Sequence, residues 1–177
     1  MLYKIIILGS ILAVSALGCR ATNIVSPSTD NTSVVISKDS VAERMLLYQR
    51  NNGGWPQPGG NAIDYSKTLS ETLKTTLKSE KNKLDACIDD RATTTEIKTL
   101  VSTYKKTNNP EYLKAAENGI KYLLTAQNPA GGWGQFFPDT SSYRKHITYN
   151  DNAMIDVMWV MKYASEGTND FETIDKT

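Results

Sequence analysis

The stretch QRNNGGWPQ, residues 49–57, returns as QNPAGGWGQ at residues 127–135, and this repeat decides how the chain folds. Each copy follows an apolar run typical of a helix end, MLLY before the first and LLTA before the second. Glycine adopts left-handed backbone conformations at little cost, and proline cannot continue a helix. The phrase therefore predicts a helix-exit turn that is used twice. Two alternatives stay open: a stacking surface for a ligand made by Trp55 and Trp133, and a coincidence of turn chemistry.

Helix signals continue outside the repeat. Ser40 and Glu43 match a capping box, in which the two side chains satisfy the first backbone N–H groups of a helix. Asn109 and Pro110 form an N-cap and first-position pair, and Asp151 is placed to cap a last helix. Apolar residues recur at helical spacing throughout, namely Leu69, Leu73, Leu77, Ile97, Leu100, Val101, Tyr104, Leu113, Ala116, Ile120, Leu123, Val157, Val160 and Met161.

The sequence pattern contains no convincing alternating strand, and residues 143–149 are the best candidate for extended chain. The chain is therefore expected to be mainly α-helical, with helices joined by long polar loops. This order favours antiparallel helix hairpins arranged as an incomplete ring or solenoid over a tight four-helix bundle.

Residues 1–18 are expected to be a secretory signal. Their apolar run, residues 5–16, is too short for a transmembrane helix, which needs about 20 residues. The run ends in ALGC, similar to the lipobox of bacterial lipoproteins, so Cys19 is expected to carry lipid in the periplasm or on the cell surface. Residues 19–37, rich in Ser, Thr and Asn, are expected to be a flexible tether. Cleavage with release from the cell and an uncleaved anchor are the alternatives.

The charges almost balance, with 20 Lys and Arg against 19 Asp and Glu. This balance argues against a nucleic-acid partner. The single histidine, His146, excludes multi-histidine metal sites and disfavours a Ser-His-Asp triad. A metal would then be bound by oxygen, which favours calcium or magnesium. Cys87 is expected to be a small buried side chain, because a lipidated Cys19 cannot form a disulfide.

Two polar segments beside helix ends are candidates for chemistry. In CIDDRATTTEI, residues 87–97, Asp89 and Asp90 stand side by side before Arg91. Adjacent carboxylates ligate hard cations or help to bind a sugar. The alternative is that Asp90 and the threonines cap a helix while Asp89 makes a surface ion pair.

The second segment, residues 131–151, combines aromatic side chains with cations. Trp133 and several other aromatic residues occur close to Arg144 and His146. Aromatic faces stack on sugar rings, and the flanking cations suit a carbohydrate that carries carboxylate groups. The alternatives are that these aromatic residues fold onto the core and that His146 is structural.

Four blocks in one order resemble a known family. AERMLLYQRNNGGWPQ, DDRATTTEI, EYLKAAENGIKYLLTAQNPAGGWGQFFP and HITYNDNAM together resemble the pectate lyases of polysaccharide lyase family ten. The resemblance covers residues 41–161 and implies that residues 38–177 are the N-terminal part of the catalytic domain, folded as a partial α/α toroid. It also implies calcium-dependent β-elimination of α-1,4-linked polygalacturonate, the substrate found in pectin.

The resemblance implies roles for individual residues. The family's D-N-x-A-T pattern reads DDRAT at residues 89–93, so Asp89 matches a calcium- and substrate-facing aspartate, and Asp90 replaces the usual asparagine. The ITxND block matches Asp151 to the second acidic position, beside Asn150. Asp89 and Asp151 are thus the implied calcium ligands. The residues expected to bind substrate are Asp90, Arg91, Trp133, Arg144, His146 and Asn150.

The family's catalytic arginine belongs to the second half of its domain, so the resemblance implies a truncated chain without that base. The leading hypothesis is a pectate lyase, or a truncated product of one, that touches the membrane only through its N-terminal lipid. The first alternative is a non-catalytic lipoprotein that binds pectin or oligogalacturonate. The second is a helical interaction scaffold in which the repeats only shape turns.

Overall fold

A computed structural model describes residues 34–139, 141–147, 149 and 151–176 of the chain. The predicted signal segment, Cys19 and most of the predicted tether lie outside these residues. The last tether residues, from Val34 to Ile36, are exposed and have no regular structure. The next residue is tied to the domain, since the Ser37 N–H donates to the carbonyl oxygen of Thr107 at 3.0 Å.

The described residues form five α-helices: α1 (Ser40–Tyr48), α2 (Glu71–Ser79), α3 (Thr94–Thr107), α4 (Pro110–Ala126) and α5 (Ala153–Glu166). Short 3-10 turns occur at Pro58–Gly60, Asp89–Arg91, Ser142–Lys145 and Phe171–Thr173. Within the part described no strand forms, although Pro56 bridges Ala86 and Cys87 bridges Phe136. The prediction of a mainly α fold is confirmed. The prediction of extended chain at residues 143–149 is wrong at residues 143–145, which belong to the third 3-10 turn.

The start of α1 corrects the predicted capping box. Asp39, one residue earlier than expected, is the N-cap, and its Oδ1 accepts the N–H groups of Val41 and Ala42 at 2.9 Å each. Ser40 is therefore the first residue of the helix. Glu43 does not return to the cap but accepts a hydrogen bond from the Tyr112 hydroxyl at 2.9 Å.

The other two predicted caps have opposite outcomes. Asn109 caps α4 as expected, since its Oδ1 accepts the Glu111 N–H at 3.1 Å and Pro110 follows. Asp151 does not cap α5. The N-cap there is Asn152, which has a left-handed φ of 59° and makes no side-chain capping bond.

Helices α3 and α4 form a hairpin through Asn108 and Asn109. Asn108 takes the left-handed conformation, φ 53°, that reverses the chain. The two helices approach closely at Gly119, where a Cβ would lie 2.6 Å from Cγ1 of Ile97. A larger residue at this position would push the helices apart. The two helices of the hairpin therefore pack closely because Gly119 has no side chain to separate them.

The two tryptophans of the repeat cover the helix ends that precede them. Trp55 donates from its indole N–H to the carbonyl oxygen of Met45 in α1 at 2.8 Å, and Trp133 donates to that of Leu123 in α4 at 2.7 Å. Each carbonyl belongs to the last turn of its helix. The Met45 oxygen also accepts the Gln49 N–H at 3.1 Å, whereas the Gln127 N–H donates to Leu124 and leaves the Leu123 oxygen to the indole. Both rings are buried, with 0% and 6% of their surface exposed.

The backbone of the two turns is matched as well. The Arg50 N–H donates to the Gly54 carbonyl oxygen, and the Asn128 N–H donates to that of Gly132, both at 2.9 Å. The prediction of one helix-exit turn used twice is therefore confirmed. The first turn leads into the loop before α2, and the second leads into the loop before α5.

Helix α5 is apolar on more than one side. Val157 and Val160 are fully buried, whereas Ile155, Met158 and Trp159 keep 49%, 53% and 45% of their surface exposed. The ring of Trp159 stacks on Tyr163 with 5.7 Å between centroids. None of the helices within the described residues is both long and apolar enough to cross a bilayer.

Candidate functional site

The candidate site is built around residues 85–91, which the two turns hold from both sides. The Cys87 N–H donates to the Trp55 carbonyl oxygen at 3.0 Å, and the Ile88 N–H donates to that of Gln135 at 2.8 Å. The first turn thus holds one residue of the segment and the second turn holds the next. Asp89 follows directly after these two contacts.

Thr93 fixes the far end of this segment in a strained backbone conformation. Its φ of 66° and ψ of −48°, with the Thr94 N–H donating to the Ala92 carbonyl oxygen at 2.8 Å, form a γ-turn that is rare for a β-branched residue. The buried hydroxyl offsets this strain, because it accepts the Trp55 N–H at 3.0 Å and donates to the Cys87 carbonyl oxygen at 2.8 Å. Although Thr93 stands at the N-cap of α3, it makes no side-chain capping bond.

Asp89 and Asp90 are neighbours in sequence but line different cavities. Asp90 has left-handed angles, φ 43° and ψ 37°, which Asp and Asn tolerate better than most residues. Asp89 lines the larger of two neighbouring cavities, the main cleft, whereas Asp90 lines the other, the smaller pocket. Nε2 of Gln135 donates to Oδ1 of Asp89 at 2.9 Å, and Nε2 of Gln57 donates to Oδ2 of Asp90 at 2.7 Å. Each turn therefore ends in a glutamine that holds one of the two carboxylates.

The main cleft has a volume of about 490 Å³ and lies between three segments, residues 56–60, 84–89 and 136–144. Asp89 reaches it with one carboxylate oxygen available. Both hydrogen bonds that the described residues make to this carboxylate end at Oδ1, one from Gln135 and one from the Asp90 N–H at 3.2 Å. Oδ2 of Asp89 therefore keeps its lone pairs for a ligand.

Arg144 is the cation of the cleft. Its guanidinium lies over the ring of Phe136, 4.3 Å from the centroid, and Nη1 donates to Oδ2 of Asp139. Hydrogen bonds from Ser141, followed by that from Arg144, lower the pKa of Asp139 to about 2. The side chain of Arg144 is 38% exposed, so N–H groups that Asp139 does not use are accessible to an acidic ligand.

Arg91 does not line the cleft. It lines the smaller pocket and pairs with Asp156 of α5, with 3.4 Å between Nε and Oδ2. Lys98 approaches Oδ1 of the same carboxylate at 3.4 Å. Arg91 therefore ties the Asp89–Arg91 turn to α5. Asp156 was missed in the sequence, where its only signal was its place in the first turn of the predicted last helix.

Trp133 is expected from the sequence to meet substrate, but the structure places it in the core. Its ring is 6% exposed and therefore offers no face on which a sugar could stack. Cys87 is fully buried as predicted, and burial raises the pKa of its thiol to about 12. It therefore stays protonated and is not a nucleophile at neutral pH.

His146 and Asp151, two further sequence candidates, are not among the residues that line either cavity. His146 is exposed, and its carbonyl oxygen packs over Gly134, where a Cβ would lie 3.2 Å away. Asp151 is exposed, with a left-handed φ of 52°, in the turn before α5. Asn150 lies outside the described residues. Of the predicted site residues, the structure thus brings Asp89 and Arg144 to one cleft.

Glu96 is a buried acid outside the set of site residues predicted from the sequence. It is 5% exposed, accepts a hydrogen bond from the Tyr65 hydroxyl at 2.8 Å and lines the smaller pocket. Its Oε2 has no hydrogen-bond partner among the described residues. Burial raises the pKa of Glu96. No sequence signal marks it, because its burial depends on how α3 packs.

The described residues offer only part of a calcium site. They contain no group of three or more acidic, histidine or cysteine side chains placed to hold a metal ion. Asp89 supplies the hard oxygen that calcium prefers, but calcium takes six to eight oxygen ligands. Asp151, the second implied ligand, does not line the cleft that Asp89 faces.

The family model for pectic acid lyase matches residues 49–176. A family 10 polysaccharide lyase from Cellvibrio cellulosa is similar in structure, with a TM-score of 0.65 and 31% identity over 76% of this chain and 38% of that one. A mutant of the family 10 polysaccharide lyase from the same organism, in complex with trigalacturonic acid, matches with a TM-score of 0.65 and 30% identity over the same shares. No curated protein matches the chain.

The chain therefore spans less than half the length of these solved relatives. Its helices correspond to part of an α/α toroid, as predicted. The blocks that carry the sequence resemblance contain both turns and supply Asp89 and Phe136 to the cleft. By fold and by the match over residues 49–176, this chain belongs to the pectic acid lyase family.

Proposed function

We propose that this chain acts in pectate lyase chemistry, binding polygalacturonate in the cleft and contributing to calcium-dependent β-elimination of its α-1,4 bonds. The observation that carries this proposal is the placement of Asp89 and Arg144 in one cleft of a family member. A relative that is solved in complex with trigalacturonic acid supports the same substrate class.

Arg144 is proposed to bind a galacturonate carboxylate. Its guanidinium lies over the ring of Phe136 and is anchored by Asp139, so its orientation is fixed before substrate arrives. The substrate proton that is removed lies on C5, next to a carboxylate that resists further negative charge. A cation at that carboxylate lowers the cost of the developing charge.

Asp89 is proposed to face the sugar with Oδ2, either accepting a hydroxyl hydrogen bond or giving one oxygen to a calcium ion. A bound calcium ion supplies further neutralisation of the substrate carboxylate. Asp151 is proposed as a second ligand on the sequence resemblance alone. Because the described residues offer an incomplete shell, no step of the reaction is assigned to the ion.

Calorimetry with trigalacturonate, in calcium and in EDTA, tests binding by the full chain. We expect calcium-dependent binding that weakens about tenfold or more in Asp89→Asn and in Arg144→Gln, since each loses a charged contact. Lys162→Gln, a charge removal on the exposed side of α5, should bind as the wild type does. Absence of binding by the wild type contradicts the proposal.

A second assay separates binding from cleavage. Polygalacturonate and calcium are mixed with the chain, and the unsaturated, ultraviolet-absorbing product of β-elimination is followed. Product formation supports a lyase. Binding without product supports the alternative of a non-catalytic pectin-binding protein.

We also propose that Cys19 is lipidated and anchors the protein outside the inner membrane. The sequence ALGC after a short apolar run supports this. Fractionation of cells that express the wild type and Cys19→Ser tests it. The wild type should sediment with membranes and the variant should not, and equal distributions would argue for simple cleavage and release.

A further inference from the structure

Gln57 and Gln135 occupy the same final position in the two copies of the repeat, and they reach adjacent aspartates. Gln135 donates to Asp89 at 2.9 Å, and Gln57 donates to Asp90 at 2.7 Å. Like charges on neighbouring residues repel, yet these two carboxylates face separate cavities. A matched pair of donors therefore acts where two negative charges have to be kept apart.

We propose that Gln57 and Gln135 are a pair of positioning residues that hold the two carboxylates apart and aim Asp89 into the cleft. The inference rests on the proposed function, because it assigns Asp89 a ligand. Loss of the Gln135 donor is expected to weaken ligand binding more than loss of the Gln57 donor, since Asp89 lines the main cleft. Gln57 lines both cavities, but the carboxylate that it holds, Asp90, lines the smaller pocket, so the effect of this hydrogen bond on a ligand in the cleft is smaller.

The geometry around Gln135 is that of a rigid clamp. The residue is 6% exposed, its side chain holds Asp89, and its carbonyl oxygen accepts the Ile88 N–H at 2.8 Å. Gln135 therefore holds two successive residues, Ile88 and Asp89, in place. Gln57 is less buried, and its carbonyl oxygen accepts the Gly60 N–H at 3.1 Å, which ties it to the 3-10 turn that follows.

The chemistry favours glutamine over a cation at these positions. A lysine or arginine in place of Gln135 would form an ion pair with Asp89 and neutralise much of its charge. An amide N–H orients the carboxylate and leaves its charge available to a ligand. Since Gln135 donates to Oδ1 of Asp89, Oδ2 is the oxygen left for a ligand.

A double-substitution cycle on the full chain tests this inference. Gln135→Met keeps the length of the side chain but removes its donor, and it is combined with Asp89→Asn. Calorimetry with trigalacturonate and calcium should show binding about tenfold weaker in Gln135→Met alone. In the Asp89→Asn background the same change should have less than about a twofold effect. A similar but smaller coupling is expected between Gln57→Met and Asp90→Asn.

Gln127→Met is the matched control. Gln127 begins the same turn that Gln135 ends, and its side chain is exposed. Its substitution should leave the affinity unchanged. If Gln135→Met weakens binding equally with and without the Asp89 carboxylate, the glutamine acts through packing and the inference is overturned. If Gln135→Met does not fold, the Gln57 cycle carries the same test.

Thermal unfolding without ligand separates this inference from the proposed function. Gln135→Met should lower the midpoint by about 2–4 °C, and the loss should disappear in an Asp89→Ala background, where the side-chain acceptor is gone. A wild type that fails to bind trigalacturonate contradicts the proposed function. In that case the unfolding cycle alone tests whether Gln135 holds Asp89. Coupling in that cycle supports the clamp, and its absence overturns it.

Discussion

The two turns of the repeat share their backbone bonds but differ in their surroundings. In the first turn, a Cβ on Gly53 would lie 2.2 Å from the carbonyl oxygen of Asn118 in α4. In the second turn, a Cβ on Gly131 would meet nothing within 4 Å. The first glycine of the first copy is therefore packed in the core, whereas its counterpart in the second copy lies at the rim of a turn whose Trp133 is buried like Trp55. Local sequence specifies the turn, and tertiary packing decides what the turn is used for.

The largest difference is expected for alanine at the two matched glycines. Both have positive φ, 95° at Gly53 and 85° at Gly131, which costs an alanine about 1–2 kcal/mol. Gly53→Ala adds a backbone clash, for a total of about 3–5 kcal/mol of unfolding free energy. Gly131→Ala should lose only the unfolding free energy, about 1–2 kcal/mol, that the positive φ costs an alanine. Urea unfolding measures both, and equal losses would contradict the assignment of the first turn to the core.

The second position of each copy gives the next contrast. Arg50 is buried and donates from Nε and Nη2 to Asp85 at 2.6 and 2.8 Å. Arg50→Ala should therefore cost about 2–3 kcal/mol, because it removes a buried partner of a carboxylate that is itself half exposed. Asn128→Ala, at the matched rim position, should stay within about 0.5 kcal/mol. Urea unfolding again measures both, and an Asn128 effect as large as that of Arg50 would remove the contrast.

Near the first turn, burial raises the pKa of Glu96, so pH should affect the two sides of the site in opposite ways. A carboxyl whose pKa is raised on folding binds a proton more tightly in the native state, and stability falls as pH rises above its ordinary value of 4.5. Glu96→Gln removes this loss while keeping an acceptor for Tyr65. Its stability relative to wild type should therefore grow from pH 4.5 upward, as measured by urea unfolding at several pH values. A constant difference would show that folding does not raise the pKa of Glu96.

Near the second turn, Asp139 provides the opposite and smallest effect. Its pKa of about 2 lies below the ordinary 3.8, so its stabilising bonds are present above pH 3.8 and are lost as pH falls through 2. Arg144→Gln should raise the pKa of Asp139 only in part, because the bonds from Ser141 remain. Carboxyl carbon NMR shifts during an acid titration measure this change. An unchanged midpoint would mean that Arg144 does not hold Asp139.

Much of this architecture follows from the sequence alone. Apolar spacing predicts the helices, and the GGW phrase predicts both turns, because glycine and tryptophan act on their own chain neighbours. The capping box failed because Asp39, one residue before Ser40, is also a favoured N-cap residue and its carboxylate formed the bonds. Asp89 and Arg144 were found from local chemistry.

Their partners were not found in the same way. The bonds from Gln57 to Asp90 and from Gln135 to Asp89 depend on tertiary contacts between distant segments. The repeat itself was the available signal, since both glutamines end matching copies. The depth at which Trp133 lies was hidden for the same reason, because a GGW phrase looks alike in the core and at a rim.

The Thr93 hydroxyl has a consequence for how the site opens. One oxygen joins the amide of Trp55 and the carbonyl of Cys87 to the start of α3. Three distant segments that share one hydroxyl should unfold together as a single cooperative unit. Native-state hydrogen exchange would then give one opening free energy for the amides of Trp55, Cys87 and Thr94. In Thr93→Val, which keeps the shape and loses the oxygen, the three amides should exchange independently.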